Sequence, residues 1–162
     1  MLPPSNSQDP DFIQCAIAVA AEHMRAKDGG PFGALVVREN QIIATGWNQV
    51  TSTNDPTAHA EVMAIRSAAA RLRSFVLQGC VLYTSCEPCP MCLGAAYWAR
   101  VDRIVFAATR TDAAGAGFDD EELYRELALP YASRRLPMQQ ILRDKAVEIL
   151  DEWRRMPGRM MY

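Results

Sequence analysis

The chain has 162 residues, enough for one domain with a real core, and its 49% hydrophobic and 22% charged residues are those of a soluble globular protein. A net charge of −2 lacks the basic stripe that displaces counterions from a polyphosphate, which argues against a nucleic-acid partner. No apolar run approaches the roughly 18 residues of a membrane span, and the polar start from Met1 to Asp11 has no basic-then-apolar signal pattern, so a cytoplasmic location without membrane attachment is expected.

In chain order, Asp9-Pro10 opens a helix whose apolar face is Phe12, Ile13, Ala16, Ile17, Ala20 and Met24, with His23 at its boundary. Asp28-Gly29-Gly30-Pro31 stops it. Two β-rich runs, Ala34 to Arg38 and Gln41 to Trp47, flank Glu39-Asn40 and read as a hairpin. A polar loop from Asn48 to Pro56 leads into an alanine-rich helix from about Ala58 to Arg71. Cys80 to Thr84 reads as a buried strand, Cys89 to Ala99 as a helix, and Arg103 to Ala108 as another strand. A glycine- and alanine-rich loop precedes an acidic helix start at Asp119. Met138 to Leu142 is a weak fifth strand, and Val147, Ile149, Leu150, Trp153 and Met156 mark a final amphipathic helix. Helices alternating with strands after an initial hairpin predict one α/β domain over residues 1–162, with three α/β/α layers around a mixed sheet.

The five cysteines are odd in number, and Cys86, Cys89 and Cys92 crowd together, which argues against a disulfide framework and for metal or redox chemistry. Cys15 and Cys80 read as core residues. The chemistry concentrates in His59-Ala60-Glu61 and Pro88-Cys89-Pro90-Met91-Cys92, each at the expected start of a helix. His59, Cys89 and Cys92 make three ligands with a fourth position open, the pattern of a catalytic zinc site. Helix N-termini favour thiolate over thiol, and soft ligands select zinc over magnesium or calcium. An open zinc position makes water acidic near pH 7, and Glu61, two residues from His59, can take and return that proton without ligating. Cys86 competes as a ligand through a second C-x-x-C pairing, although a small buried thiol at a strand end suits it better. Taken alone, C-x-x-C is often a redox pair or half of a structural zinc site. The two fragments together form the H-x-E and P-C-x-x-C signature of zinc-dependent base deaminases.

On these residues the chain resembles the cytidine-deaminase-like superfamily and, within it, the short bacterial guanine deaminases. The resemblance runs from Gly29-Gly30-Pro31-Phe32-Gly33 to Tyr162, through Asn54 to Glu61, Ser85 to Cys92 and Tyr97-Trp98-Ala99-Arg100. Its most discriminating part is Thr111 to Asp120, ending in Gly117-Phe118-Asp119-Asp120, which tRNA adenosine deaminases do not share. It implies a five-stranded sheet, one zinc per subunit, and a homodimer in which the C-terminal segment, about 110–162, is exchanged and closes the partner's pocket. It further implies hydrolysis of guanine to xanthine and ammonia, with Glu61 moving protons and Asp120 holding the reacting amino group. Asn48 would hydrogen-bond the purine, and Tyr162 would sit at the pocket. Phe32 and Trp98 would pack against the base.

Other readings of the same residues stand beside these. Asn48 suits a turn at a hairpin end. Asp119, Asp120, Glu121 and Glu122 suit an ordinary helix N-terminus. At the level of function, the alternatives are deamination of tRNA adenosine, cytosine or a related heterocycle, and a non-catalytic zinc-stabilised interaction domain. The last leaves Glu61 without a role and lacks a convincing fourth ligand.

Overall fold

The computed structural model describes residues 6–118 and 120–161. Helix α1, Asp9–Ala26, carries Pro10 in its first turn with Asp9 and Asp11, where a missing N–H costs nothing and negative charge meets the helix dipole. It ends where Lys27 turns left-handed, with Lys27 and Asp28 amides bonded back to the Met24 and His23 carbonyls. Its buried stripe is narrower than predicted. Phe12, Ala16 and Ala20 are buried, while Ile17, Met24 and Cys15 are exposed. Cys15 is therefore not a core residue: the 3.6-residue period that buries Phe12, Ala16 and Ala20 turns it outward.

Strands β1, Gly30–Arg38, and β2, Gln41–Asn48, form the expected hairpin. Glu39 and Asn40 both take positive φ, 51° and 60°, as a two-residue turn between right-twisted strands requires. The single-turn helix α2, Val50–Thr53, interrupts the polar loop, and α3 follows at Ala60–Leu72. Strand β3, Cys80–Cys86, helix α4, Pro90–Ala99, and strand β4, Arg103–Ala108, complete a parallel β-α-β unit.

The sheet order is β2-β1-β3-β4, with β1 antiparallel to both β2 and β3 and β4 parallel to β3. Helix α1 covers one face, where Phe12 and Ala16 meet Leu35, Val37 and Tyr83. Helices α3 and α4 cover the other, where Ala60, Ala64 and Ala96 meet Ala34, Val36 and Leu82. Because alternate β1 residues feed opposite cores, Ala34 to Val37 reads as a continuous apolar run. Two glycines let helices close on the strands. A Cβ on Gly33 would strike the Ala16 carbonyl in α1, and one on Gly46 would strike the Ala60 carbonyl and Ala64 nitrogen in α3.

The chain divides into two compact units, Met1–Tyr124 and Arg125–Tyr162. In the first, the expected glycine- and alanine-rich loop contains a short helix, α5, Arg110–Gly115, begun by a Thr109–Asp112 capping box. Helix α6, Asp120–Ala128, runs across the division between the units. In the second, Arg134 donates to the Leu127 and Leu129 carbonyls, and α7, Arg143–Arg155, is an amphipathic helix without a buried residue.

The three layers are present, but the sheet has four strands among the described residues rather than five. Met138 to Leu142 is not a strand. Leu142 sits at φ 52°, which breaks extended backbone, and Met138, Ile141 and Leu142 are exposed.

Candidate active site

Two helix N-termini converge. His59 is the N-cap of α3 and Cys89 the N-cap of α4, both with extended backbone that aims the side chain past the first turn. Cys89 Sγ lies 3.6 Å from His59 Nδ1. The donor atoms of His59, Cys89 and Cys92 all lie within 4.8 Å of one another. Tetrahedral zinc with bonds of about 2.0 and 2.3 Å sets neighbouring nitrogen and sulfur donors roughly 3.5 Å apart, and the Cys89–His59 pair at 3.6 Å has that spacing. Cys86 lies outside this cluster, and its thiol donates to the Thr109 carbonyl at 3.6 Å.

Without an ion, the local charges favour one thiolate, Cys89, beside one thiol, Cys92. A hydrogen bond from Cys92 and another from His59 hold Cys89 well below the ordinary thiol range, and Cys92 itself is raised. The bond to Cys89 raises His59. Glu61, in the first turn of α3, is 6% exposed, with Oε2 3.4 Å from Cys92 Sγ. Burial pushes its carboxyl up to about 7, where a group can both take and give a proton near neutral pH.

A cavity of about 420 Å³ opens onto this cluster, and His59, Glu61 and Cys89 lie in its wall beside Asn48, Phe32 and Asp120. Asn48 ends β2 opposite Gly30, and its Oδ1 accepts from the Val50 amide at 3.3 Å. It makes the turn and lines the cavity at once. Phe32 meets Phe118 edge-on, with ring centroids 4.7 Å apart, and the pair forms an aromatic wall. Trp98 stands elsewhere, 67% exposed and outside the cavity lining. The buried stripe of α4 is Cys92, Ala96 and Ala99, so the helix turns Trp98 outward with Tyr97. Tyr162 lies outside the described residues.

Phe118 and Glu87 also line the cavity and were not singled out as site residues in the sequence. Phe118 lay within the Gly-Phe-Asp-Asp segment, which was the available signal. Glu87 accepts from the Arg110 amide at 3.0 Å, and its own amide donates to the Ala108 carbonyl at 2.8 Å. These bonds tie the ends of β3 and β4 together beside the ligand loop.

Residues 6–108 match the family model described as the cytidine and deoxycytidylate deaminase zinc-binding region. The chain is 48% identical to the guanine deaminase of Bacillus subtilis over 93% of this chain and 97% of that protein. The crystal structure of that enzyme superposes with a TM-score of 0.92, at 47% identity, over 98% of this chain and 99% of the other. The tRNA-specific adenosine deaminase of Aquifex aeolicus is 35% identical over 88% of this chain and 91% of its own. The solved guanine deaminase of Nitrosomonas europaea matches at 30% identity and a TM-score of 0.63, covering 94% of this chain and 93% of the other. With its His-Cys-Cys donor cluster opening two helices around a buried glutamate, this chain belongs to the cytidine and deoxycytidylate deaminase zinc-binding family.

Proposed function

We propose that the chain hydrolyses guanine to xanthine and ammonia. One observation carries the reading: His59 and Cys89 of the donor cluster and Glu61 line one cavity together with an amide, Asn48, and the Phe32 and Phe118 rings. Similarity to the Bacillus subtilis guanine deaminase along nearly the whole chain supports guanine over the adenosine of tRNA.

His59, Cys89 and Cys92 would hold zinc, which would supply the Lewis acidity that makes water nucleophilic near neutral pH. Glu61 takes a proton from the attacking water as its oxygen bonds to C2. The carboxyl passes that proton to a ring nitrogen, then takes the second from the new hydroxyl on C2 and delivers it to the amine as the C2–N bond breaks. Asn48, whose Oδ1 already accepts from the Val50 amide, offers its Nδ2 donors to the purine O6 and N7, both of which accept. Asp120 holds the reacting amino group, and Phe32 lies against the base.

The working unit is a homodimer in which the C-terminal segment is exchanged, and location is cytoplasmic. Exposed Ile149, Leu150, Trp153 and Met156 along α7 and its tail support the exchange, because an amphipathic helix without a covered face needs a partner. Among the described residues no helix is long and apolar enough to cross a membrane. An ultraviolet assay for xanthine tests the function, with cytosine, adenine, guanosine and tRNA as competing substrates. Guanine gives the highest kcat/KM. A higher value on tRNA overturns the reading.

A further inference from the structure

The geometry points to Tyr124 as a positioning residue that holds Asp120 at the cavity, an inference that rests on guanine deamination at this site. Asp120 and Tyr124 are four residues apart on α6 and therefore share one face. None of the described residues of α6 is fully buried, so side-chain ties rather than core packing locate this helix. Tyr124 supplies such a tie: its hydroxyl donates to the Pro88 carbonyl at 2.8 Å, immediately before the ligand Cys89. The ring is itself held. The Arg110 guanidinium lies 4.6 Å from its centroid, and Arg110 Nε faces Glu87 Oε1 at 4.0 Å. Glu87 and Pro88 are consecutive, so the path from Pro88 through Tyr124 and Arg110 returns to the same loop. This closed circuit sets the first turn of α6, and with it Asp120, against the wall that carries the metal ligands.

The role is indirect. Tyr124 does not line the cavity, whereas Asp120 does. Deleting the hydroxyl frees α6 to shift, and a small displacement of the group holding the reacting amine lowers the rate more than it weakens binding.

The test is a double-mutant cycle on guanine with the zinc-loaded enzyme, comparing Tyr124→Phe, Asp120→Asn and the double variant. Tyr124→Phe keeps its zinc and its KM within about twofold, while kcat falls about tenfold, the effect expected from one lost hydrogen bond. In the Asp120→Asn background the same change alters kcat by less than about twofold, because the group it positions is gone. Arg110→Gln, which unstacks the ring and keeps the hydroxyl, lowers kcat about threefold with the same dependence on Asp120. Parental kcat in Tyr124→Phe, loss of zinc from it, or an undiminished effect beside Asp120→Asn overturns the inference. A parent enzyme that leaves guanine unchanged defeats the functional reading instead, and that is seen before any variant is compared.

Discussion

Cys89 Sγ lies 3.6 Å from His59 Nδ1 although the two residues are 30 positions apart, and each caps its own helix. Both helices follow the sheet in chain order, α3 after β2 and α4 after β3, and both pack on the same face of it. The partial positive charges of two helix ends therefore meet at one point, which suits a cluster of thiolates.

Each chain should hold about one zinc ion. His59→Ala and Cys89→Ser lose most of the metal and all measurable turnover, whereas Cys86→Ser keeps both. Elemental analysis of the purified variants, beside the xanthine assay, decides the point. Full metal in Cys89→Ser would show that the ligand set is different.

Glu61→Gln keeps the size of the side chain and removes its proton transfer. The variant folds, retains zinc and binds guanine, while kcat drops by about 10² to 10⁴. Calorimetric binding of guanine together with steady-state rates separates this outcome from misfolding. A rate within tenfold of the parent removes Glu61 from the chemistry.

Gly46→Ala places a methyl group against the Ala60 carbonyl and Ala64 nitrogen, both of them backbone atoms of α3. The helix must move, at a cost of about 1–3 kcal/mol in stability. Because α3 carries His59 and Glu61 at its start, activity falls as well. Denaturant unfolding and guanine turnover, measured on one preparation, should both decline.

Asp9 is paired with Arg103 at 2.6 Å and accepts from the Tyr83 hydroxyl at 2.6 Å. The hydrogen bond from Arg103 lowers its carboxyl from 3.8 to about 2. A folded-state value below the unfolded one stabilises the fold above the unfolded value, and this is lost as pH falls toward the folded one. The difference in stability between parent and Asp9→Asn is therefore steady above about pH 5, and about 2 kcal/mol of it disappears between about pH 4 and 2. Urea titrations at several pH values measure it. An unchanged difference at pH 2.5 would refute the pairing.

Exchange of the C-terminal segment is tested by mixing two inactive chains. One carries Glu61→Gln with an intact tail, and the other keeps Glu61 but ends after Pro157. Random pairing restores about a quarter of the sites if the tail acts across a two-fold dimer, and none if it acts on its own chain. Full activity of the truncated chain alone would deny the tail, and Tyr162 with it, any part in the site.

Elements with a local physical cause were legible in the sequence. Pro10 in a first helical turn, Glu39-Asn40 between two apolar runs, and the His-Ala-Glu and Pro-Cys-Pro-Met-Cys helix starts each act over a few residues. The zinc donor set was legible for the same reason, since three ligands carried on two short fragments need only those fragments to meet. Tertiary structure decided what spacing does not encode. It turned Trp98 outward, because the rotation of α4 follows from which of its apolar faces the sheet accepts. It left Met138 to Leu142 unpaired, because a strand exists only with a ladder beside it and Leu142 breaks the extended path. It also brought Phe118 to Phe32 and Tyr124 to Pro88 from distant parts of the chain. Local chemistry is written residue by residue, whereas the walls of a cavity arise from long-range packing that no short window of sequence contains.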